Sequence, residues 1–172
     1  AYGDADAVAA RLRTAGHRVL RVVGSDAPMA LLRAAGFTPI RLAPTAGEAT
    51  PVADALLGPS GARKRPHQLV ERLFDPAMTD PVLFTRADAE QAQIYSAIRE
   101  NARLGAPGPR IATLLDFLHL DRASSQAYNA ARLAQLCEWL VQIGGESPDS
   151  AHLATAADEA DQVNELLRQA DA

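Results

Sequence analysis

The residues of this 172-residue chain best suited to chemistry form a short basic stretch. Residues 61–66 hold three adjacent cations, Arg63, Lys64 and Arg65, and Ser60 stands just before them. Because arginine donates paired hydrogen bonds to phosphate oxygens, this stretch is a candidate site for the phosphates of coenzyme A or a nucleotide. A solvated loop with no ligand explains the same residues, and the sequence leaves both interpretations open.

A second candidate site lies between a predicted strand and a predicted helix. The run Thr85-Arg86-Ala87-Asp88 follows the strand of residues 80–85 and enters the helix of residues 88–101. Open α/β sheets bind ligands at the carboxyl ends of their strands, so Thr85, Arg86 and Asp88 are candidate ligand-binding residues. Asp88 as the N-cap of the helix accounts for part of this pattern without any function.

Other kinds of site find little support in the residue types. The histidines have no metal-binding spacing, and the single cysteine, Cys137, excludes an internal disulfide and a CxxC-type metal site within this chain. Cys137 lies mid-helix beside Trp139, which is typical of a core residue. Residues 23–28 lack the glycine spacing of a phosphate-binding loop.

The charge balance and the hydropathy narrow the class of protein. Seventeen basic and 21 acidic residues give a net charge of −4, which does not favour nucleic-acid binding. The apolar runs are too short to span a membrane, and no secretion signal opens the sequence. The bias towards alanine and arginine is typical of a GC-rich bacterial genome. We therefore expect a cytoplasmic bacterial protein without a membrane or nucleic-acid partner.

Alternating elements in the first part of the chain predict a parallel sheet. Apolar periodicity and glycine stops predict helices at residues 4–14 and 28–35. A β-branched run that ends in glycine predicts a strand at 17–24, and residues 37–42 are predicted as a second short strand. Ser25 or Asp26 is the predicted cap of the second helix. Helix–strand alternation of this kind builds α/β folds.

The rest of the chain continues the pattern and then becomes helical. The predicted elements are helices at 52–57, 67–74 and 88–101, strands at 80–85 and 110–115, and helices at 123–143 and 147–167. The predicted fold is a small four-stranded parallel sheet flanked by helices, a Rossmann- or flavodoxin-like half, with a C-terminal helical pair. Residues 1–120 form the α/β domain, and residues 121–172 pack on it as one compact unit.

The order of several segments resembles a known enzyme family. They are Val19–Leu42, Leu83–Asp88 followed by Ile94–Arg99, Thr113–Leu118, the helix from Tyr128 to Trp139, and Ile143–Ser147. Together they resemble the subunits of 2-hydroxyacyl-CoA dehydratases and benzoyl-CoA reductases, over most of the chain from His17 to Arg168. The resemblance rests on order and spacing rather than on one strict motif.

The resemblance implies a function and also a departure from it. Subunits of this family consist of two repeated α/β domains, hold a [4Fe–4S] cluster through cysteines, and dehydrate (R)-2-hydroxyacyl-CoA by a ketyl-radical route. A separate ATP-driven activator supplies the electron. This chain resembles the first domain, but the two positions of the cluster ligands, near Ser60 and at Ala87, hold no cysteine. We therefore expect no cofactor, and a non-catalytic partner subunit or acyl-CoA-binding module.

Two alternatives remain at this stage. The chain is an active dehydratase-type component if a partner chain supplies the cluster ligands. It is a structural half-subunit if it homodimerises, or pairs with a second dehydratase-like subunit, through the stripe of Leu133, Leu136, Leu140 and Ile143. Packing of that stripe on the chain's own sheet explains these residues equally well. In the first interpretation the ligand-binding residues are Ser60, Arg63, Arg65, Thr85, Arg86 and Asp88.

Overall fold

The computed structural model describes residues 5–44, 49–59, 64–87, 89–105, 108–149 and 151. These residues form a four-stranded sheet with strand order β2-β1-β3-β4, in which every neighbouring pair is parallel. The strands are β1 (Arg18–Val23), β2 (Phe37–Arg41), β3 (Val82–Thr85) and β4 (Ala112–Leu115). The predicted α/β fold with a four-stranded parallel sheet is confirmed.

Helices flank the sheet, and most begin or end within a few residues of the predicted positions. They are α1 (Ala5–Thr14), α2 (Met29–Ala34), α3 (Pro51–Leu57), α4 (Lys64–Leu73), α5 (Ala89–Arg103) and α6 (Ala123–Gln142). Of the predicted C-terminal pair, the structure gives α6. Residues 147–149 are not helical, and the remainder of the predicted helix, except residue 151, lies outside the described residues.

One face of the sheet packs against α2 and α6. Alternate residues of a strand point to opposite faces, so Leu20 and Val22 of β1 share this face. Leu83 and Leu115 extend the apolar surface across β3 and β4, and the helices cover it with leucines. The helical leucines are Leu31, Leu32, Leu136 and Leu140.

The opposite face packs against α3, α4 and α5. Val23, Val82 and Phe84 form the sheet side of this second core, and they are at most 1% exposed. The covering residues are Ala53 of α3, Leu69, Val70 and Leu73 of α4, and Ile94 and Ile98 of α5. The molecule therefore has three layers, with the sheet in the middle.

The apolar stripe of α6 is used within the chain. Leu136 and Leu140 are buried in the core between the sheet and helices α2 and α6. Leu133 and Ile143 are partly buried and pack against that core. This is the packing on the chain's own sheet that the sequence allows. The division of the chain at residue 120 and the pairing with a second chain stay predictions.

The length and hydropathy of the described helices can be compared with those of a membrane span. None of them is both long enough and apolar enough to cross a lipid bilayer.

Candidate functional site

The strand order creates a crevice at the carboxyl edge of the sheet. β1 lies between β2 and β3, so the connection after β1 runs to one side and the connection after β2 runs back across β1 to β3. This is the arrangement in which open α/β sheets bind ligands beyond the carboxyl ends of the strands. A cavity of about 360 Å³, here named the carboxyl-edge cavity, lies at this edge beyond the ends of β1 and β2.

Four segments line the carboxyl-edge cavity. β1 contributes its last residue and the connection that follows, at Gly24 and Ser25, and β2 contributes its last residue, Arg41. The first turn of α4 contributes Arg65, and the first turn of α5 contributes Glu90 and Gln91. Buried leucines and an isoleucine complete the wall, namely Leu42, Leu69 and Ile94.

Arg65 lies in a helix and not in the predicted loop. Helix α4 includes Lys64 and Arg65, three residues earlier than the predicted start at His67. Pro66 does not prevent this, because the amide hydrogen that proline lacks is unused in the first turn of a helix. The helix therefore holds the backbone of Arg65 at the cavity.

Arg41 fixes the connection between β1 and α2. Its guanidinium donates hydrogen bonds to the carbonyl oxygen of Gly24 and, at 3.0 Å, to that of Ser25. The predicted capping of α2 by Ser25 or Asp26 is wrong, because Pro28 occupies the N-cap position and no side chain caps the helix. The connection is thus organised by a side chain from the neighbouring strand.

Gly24 allows an unusually close approach between β1 and β3. Its φ is +120°, and a Cβ atom built on it would lie 2.0 Å from Oγ1 of Thr85 and 3.1 Å from Oε1 of Gln91. Both the backbone conformation and the space therefore require glycine at this position. The side chains of Thr85 and Gln91 therefore fill the space beside Gly24 that a side chain would need.

Thr85 is part of the support of the cavity, not of its lining. It is fully buried at the end of β3, and its hydroxyl lies against Gly24. Among the described residues that hydroxyl has no hydrogen-bond partner.

The remaining predicted ligand-binding residues lie apart from the cavity or outside the described residues. Arg86 is exposed and forms an ion pair with Asp116 after β4, with 3.0 Å between Nη1 and Oδ2. It is not among the described residues that line the carboxyl-edge cavity. Ser60, Arg63 and Asp88, including the predicted N-cap role of Asp88, lie outside the described residues.

Asp26 and His119 form a further pair at the same edge of the sheet. Nε2 of His119 lies 3.3 Å from Oδ2 of Asp26, although the imidazole is 68% exposed and the carboxyl only 19%. The two residues come from the connections after β1 and β4, so only the folded sheet brings them together. Nothing in the sequence pattern predicts this pair.

The electrostatic environment of the carboxyl-edge cavity favours anions. Arg41 and Arg65 bring positive charge, and the first turns of α4 and α5 add the positive ends of two helix dipoles. Glu90 is the opposing charge among the described lining residues. The basic cluster in the sequence predicted Arg65 as a site residue. No sequence pattern predicted Arg41, Glu90 or Gln91.

The residues present do not fit a [4Fe–4S] cluster. Ala87, one of the two expected ligand positions, is an exposed residue after β3 and has no thiol. Cys137 lies on α6 and packs against the core of Leu136 and Leu140, where burial raises the pKa of its thiol. The described residues contain no group of three metal-ligating side chains.

A larger cavity lies at the opposite edge of the sheet. Its volume is about 770 Å³, and Phe74, Met78, Arg110 and Ile111 are among its lining residues. It opens beside the amino ends of β3 and β4, where parallel sheets do not usually bind ligands. The smaller carboxyl-edge cavity has the converging charges and is therefore the candidate site.

Comparison with known proteins adds no relative. No protein-family model matches the chain, and a search of curated proteins found no significant match.

Proposed function

We propose that the chain binds a phosphate-bearing acyl thioester of the acyl-CoA class, as a binding module or partner subunit without an iron–sulfur cluster. The observation that carries this proposal is the carboxyl-edge cavity, where Arg41, Arg65 and the first turns of two helices surround about 360 Å³. That volume is within the range of small-ligand sites.

The start of α4 supports a bound anion. Lys64 and Arg65 stand in the first turn of this helix, which contains no acidic residue. Cations at the amino end of a helix are unfavourable, because they face the positive end of the helix dipole. A phosphate in the carboxyl-edge cavity would offset both charges and accept hydrogen bonds from the guanidinium group of Arg65.

The acyl-CoA class comes from the family resemblance. In 2-hydroxyacyl-CoA dehydratases and benzoyl-CoA reductases the ligand is a coenzyme A thioester, and phosphates are the groups of that ligand to which arginines bind best. Ser60 and Ala87 stand where the resemblance places ligand cysteines. Binding without dehydration by this chain alone is therefore the proposal that fits the residues.

Isothermal titration of the full chain with acetyl-CoA tests the proposal. We expect binding that weakens as salt is added, and a loss of about tenfold or more in the variant Arg65→Ala, as for removal of a charged hydrogen bond. Arg103→Ala is the matched control, because Arg103 lies in the last turn of α5 and pairs with Glu100. Absence of heat with acetyl-CoA at millimolar concentration, or equal losses in both variants, would contradict the proposal.

Anaerobic purification followed by iron and sulfide analysis tests the part of the proposal that concerns the cluster. We expect neither element at a stoichiometric level. A brown preparation with stoichiometric iron and sulfide would instead support the alternative of an active component whose ligands come from elsewhere.

A further inference from the structure

We infer that the carboxyl-edge cavity holds the nucleoside-phosphate end of its ligand and leaves the acyl-bearing arm outside. This inference rests on the proposed function, and it adds which half of the ligand the chain recognises. It follows from the size of the cavity and from the kinds of group that line it.

The size of the cavity fits part of a coenzyme A thioester. A volume of about 360 Å³ is near the lower end of the range for small-ligand sites. A nucleoside phosphate is of that order, whereas a complete acyl-CoA is a much longer molecule. One half of the ligand must therefore extend beyond the cavity.

The apolar residues of the wall suit a flat ring. Leu42 follows β2, Leu69 comes from α4 and Ile94 from α5, so they reach the cavity from three different elements. Their side chains are at most 8% exposed, which means that the surrounding core holds them in place. A heteroaromatic base can contact the part of these aliphatic groups that remains exposed at the cavity without displacing them.

The polar residues of the wall suit a sugar with an attached phosphate. Arg41 and Arg65 are the cations at the cavity, and Glu90 and Gln91 lie together in the first turn of α5. A carboxylate repels a phosphate but accepts hydrogen bonds from hydroxyl groups, as acidic residues do for ribose in nucleotide sites. A ribose between the base and the phosphate would provide those hydroxyls.

The fixed main chain of the β1–α2 connection fits the same ligand. Gly24 and Ser25 line the cavity, while Thr85 and Gln91 fill the space that a side chain on Gly24 would take. Arg41 holds this connection through the carbonyl oxygens of Gly24 and Ser25, so the wall is formed before a ligand arrives. A preformed wall reduces the entropy lost on binding.

Competition titrations with fragments of the ligand test the inference. The full chain is titrated with acetyl-CoA, ADP, adenosine 3′,5′-bisphosphate, pyrophosphate and pantetheine, and each fragment is then tested as a competitor of acetyl-CoA. We expect both nucleotides to bind within about tenfold of acetyl-CoA and to displace it, and pantetheine and pyrophosphate to bind at least tenfold more weakly than the nucleotides.

A variant separates ribose recognition from charge. Glu90→Gln removes the carboxylate but keeps an acceptor oxygen, and we expect weaker binding of ADP by several-fold, with pyrophosphate unchanged or tighter. Glu100→Gln is the matched control, because Glu100 lies on the same helix and pairs with Arg103. The control should bind ADP as the unaltered chain does.

The outcomes distinguish this inference from the proposed function. If acetyl-CoA binds but the nucleotides do not displace it, the inference is wrong and the proposed function stands. If pyrophosphate binds as tightly as ADP, or if Glu90→Gln binds ADP more tightly, recognition of the nucleoside is wrong and only phosphate recognition remains. If neither acetyl-CoA nor any fragment binds, both are wrong.

Discussion

The guanidinium group of Arg21 lies inside the molecule, with its Nε atom 2.9 Å from Oδ2 of Asp80, and both side chains are almost fully buried at 2% and 4% exposed. Nη1 of Arg13 lies 2.7 Å from both oxygens of Asp80. Nη2 of Arg21 lies 2.8 Å from Oδ1 of Asp6, which also pairs with Arg72 of α4. This network joins α1 and α4 to β1 and to the start of β3.

Replacing Arg21 with methionine is expected to destabilise the fold. Methionine has a similar length, but Arg21→Met leaves Asp80 with one arginine and Asp6 with one arginine. Removing one member of a buried ion pair costs about 3 kcal/mol, and we expect a loss of up to that size, because the buried carboxylate of Asp80 keeps one of its two arginines. Urea unfolding followed by circular dichroism measures this loss.

The exposed pair of Glu100 and Arg103 is the matched control for Arg21→Met. Hydrogen bonding to Arg103 lowers the pKa of Glu100, so the pair exists above the ordinary carboxyl pKa and is lost as the pH falls through the lowered value. Because both side chains are in contact with water, Arg103→Met should leave the unfolding curve unchanged at neutral pH. Equal effects of the two substitutions would show that the buried network does not stabilise the chain.

Replacing Gly24 with alanine is expected to lower stability more than the same replacement at a glycine with free space around it. Its Cβ atom would meet the Thr85 hydroxyl at 2.0 Å, so the Thr85 side chain or β3 itself must move, in addition to the strain of a φ of +120°. A loss of more than about 3 kcal/mol combines that strain with overpacking. Thermal unfolding of Gly24→Ala measures the total.

Gly16 provides the control that isolates backbone strain. It has a φ of +85°, and a Cβ atom there would meet nothing within 4 Å, so Gly16→Ala should cost only about 1 kcal/mol. The double variant Gly24→Ala/Thr85→Ser keeps the hydroxyl and should remain destabilised, whereas Gly24→Ala/Thr85→Ala removes it and should recover part of the loss. No recovery in the latter would show that Thr85 is not the obstacle.

The local pattern of the sequence predicted most of the fold, because each element has its own periodicity. A β-branched run marked β1, and the leucines of α6 have the three- and four-residue spacing of a buried helix face. The first turn of α4 was missed, since Lys64, Arg65 and Pro66 are polar or helix-breaking in isolation. A proline is tolerated in the first turn of a helix. The sequence alone does not show where that first turn lies, so Pro66 was read as an interruption.

The candidate site was harder to predict, because its contacts join residues that are far apart in the chain. Arg65 could be recognised from its basic neighbours, but the contact of Arg41 with Gly24 depends on the register of β2 against β1. The pair of Asp26 and His119 depends on β4 lying two strands from β1. Such relationships follow from topology, which local periodicity does not specify.

The thiol of Cys137 is expected to react slowly. Burial raises the pKa of this thiol, so little of the reactive thiolate forms at neutral pH in the folded chain. Reaction with a disulfide reagent should be slow at pH 7, faster in denaturant, and displaced to higher pH than for a free cysteine. The absorbance of the released thiolate measures the rate.

The same pKa shift gives the sign of a pH effect on stability. The folded chain keeps the proton of Cys137 at a pH where the unfolded chain has lost it. The contribution of Cys137 to the free energy of unfolding is therefore complete below the ordinary thiol pKa, and it is lost as the pH rises through the raised pKa. Cys137→Ala should remove that alkaline dependence. A thiol that reacts at pH 7 as fast in the folded as in the unfolded chain would contradict the assignment of Cys137 to the core.

Arg132 of α6 is expected to protect the edge of the sheet at β4. Its Nη2 atom donates a hydrogen bond of 2.7 Å to the carbonyl oxygen of Leu114, and the described residues place no strand beyond β4. An open edge strand is a template for pairing with another chain, and a cation at the edge opposes such pairing. Arg132→Leu should therefore lower stability by about 1 kcal/mol, the value of one hydrogen bond, and promote self-association.

Sedimentation velocity over a range of protein concentrations measures the association of Arg132→Leu. Arg122→Leu is the matched control, because Arg122 precedes α6, is exposed, and makes no side-chain capping hydrogen bond, so it adds the same leucine without uncovering β4. We expect the average sedimentation coefficient to rise with concentration in Arg132→Leu to a greater extent than in the control. If both variants associate equally, the added leucine is the cause, and the hydrogen bond from Arg132 to Leu114 does not guard the sheet edge.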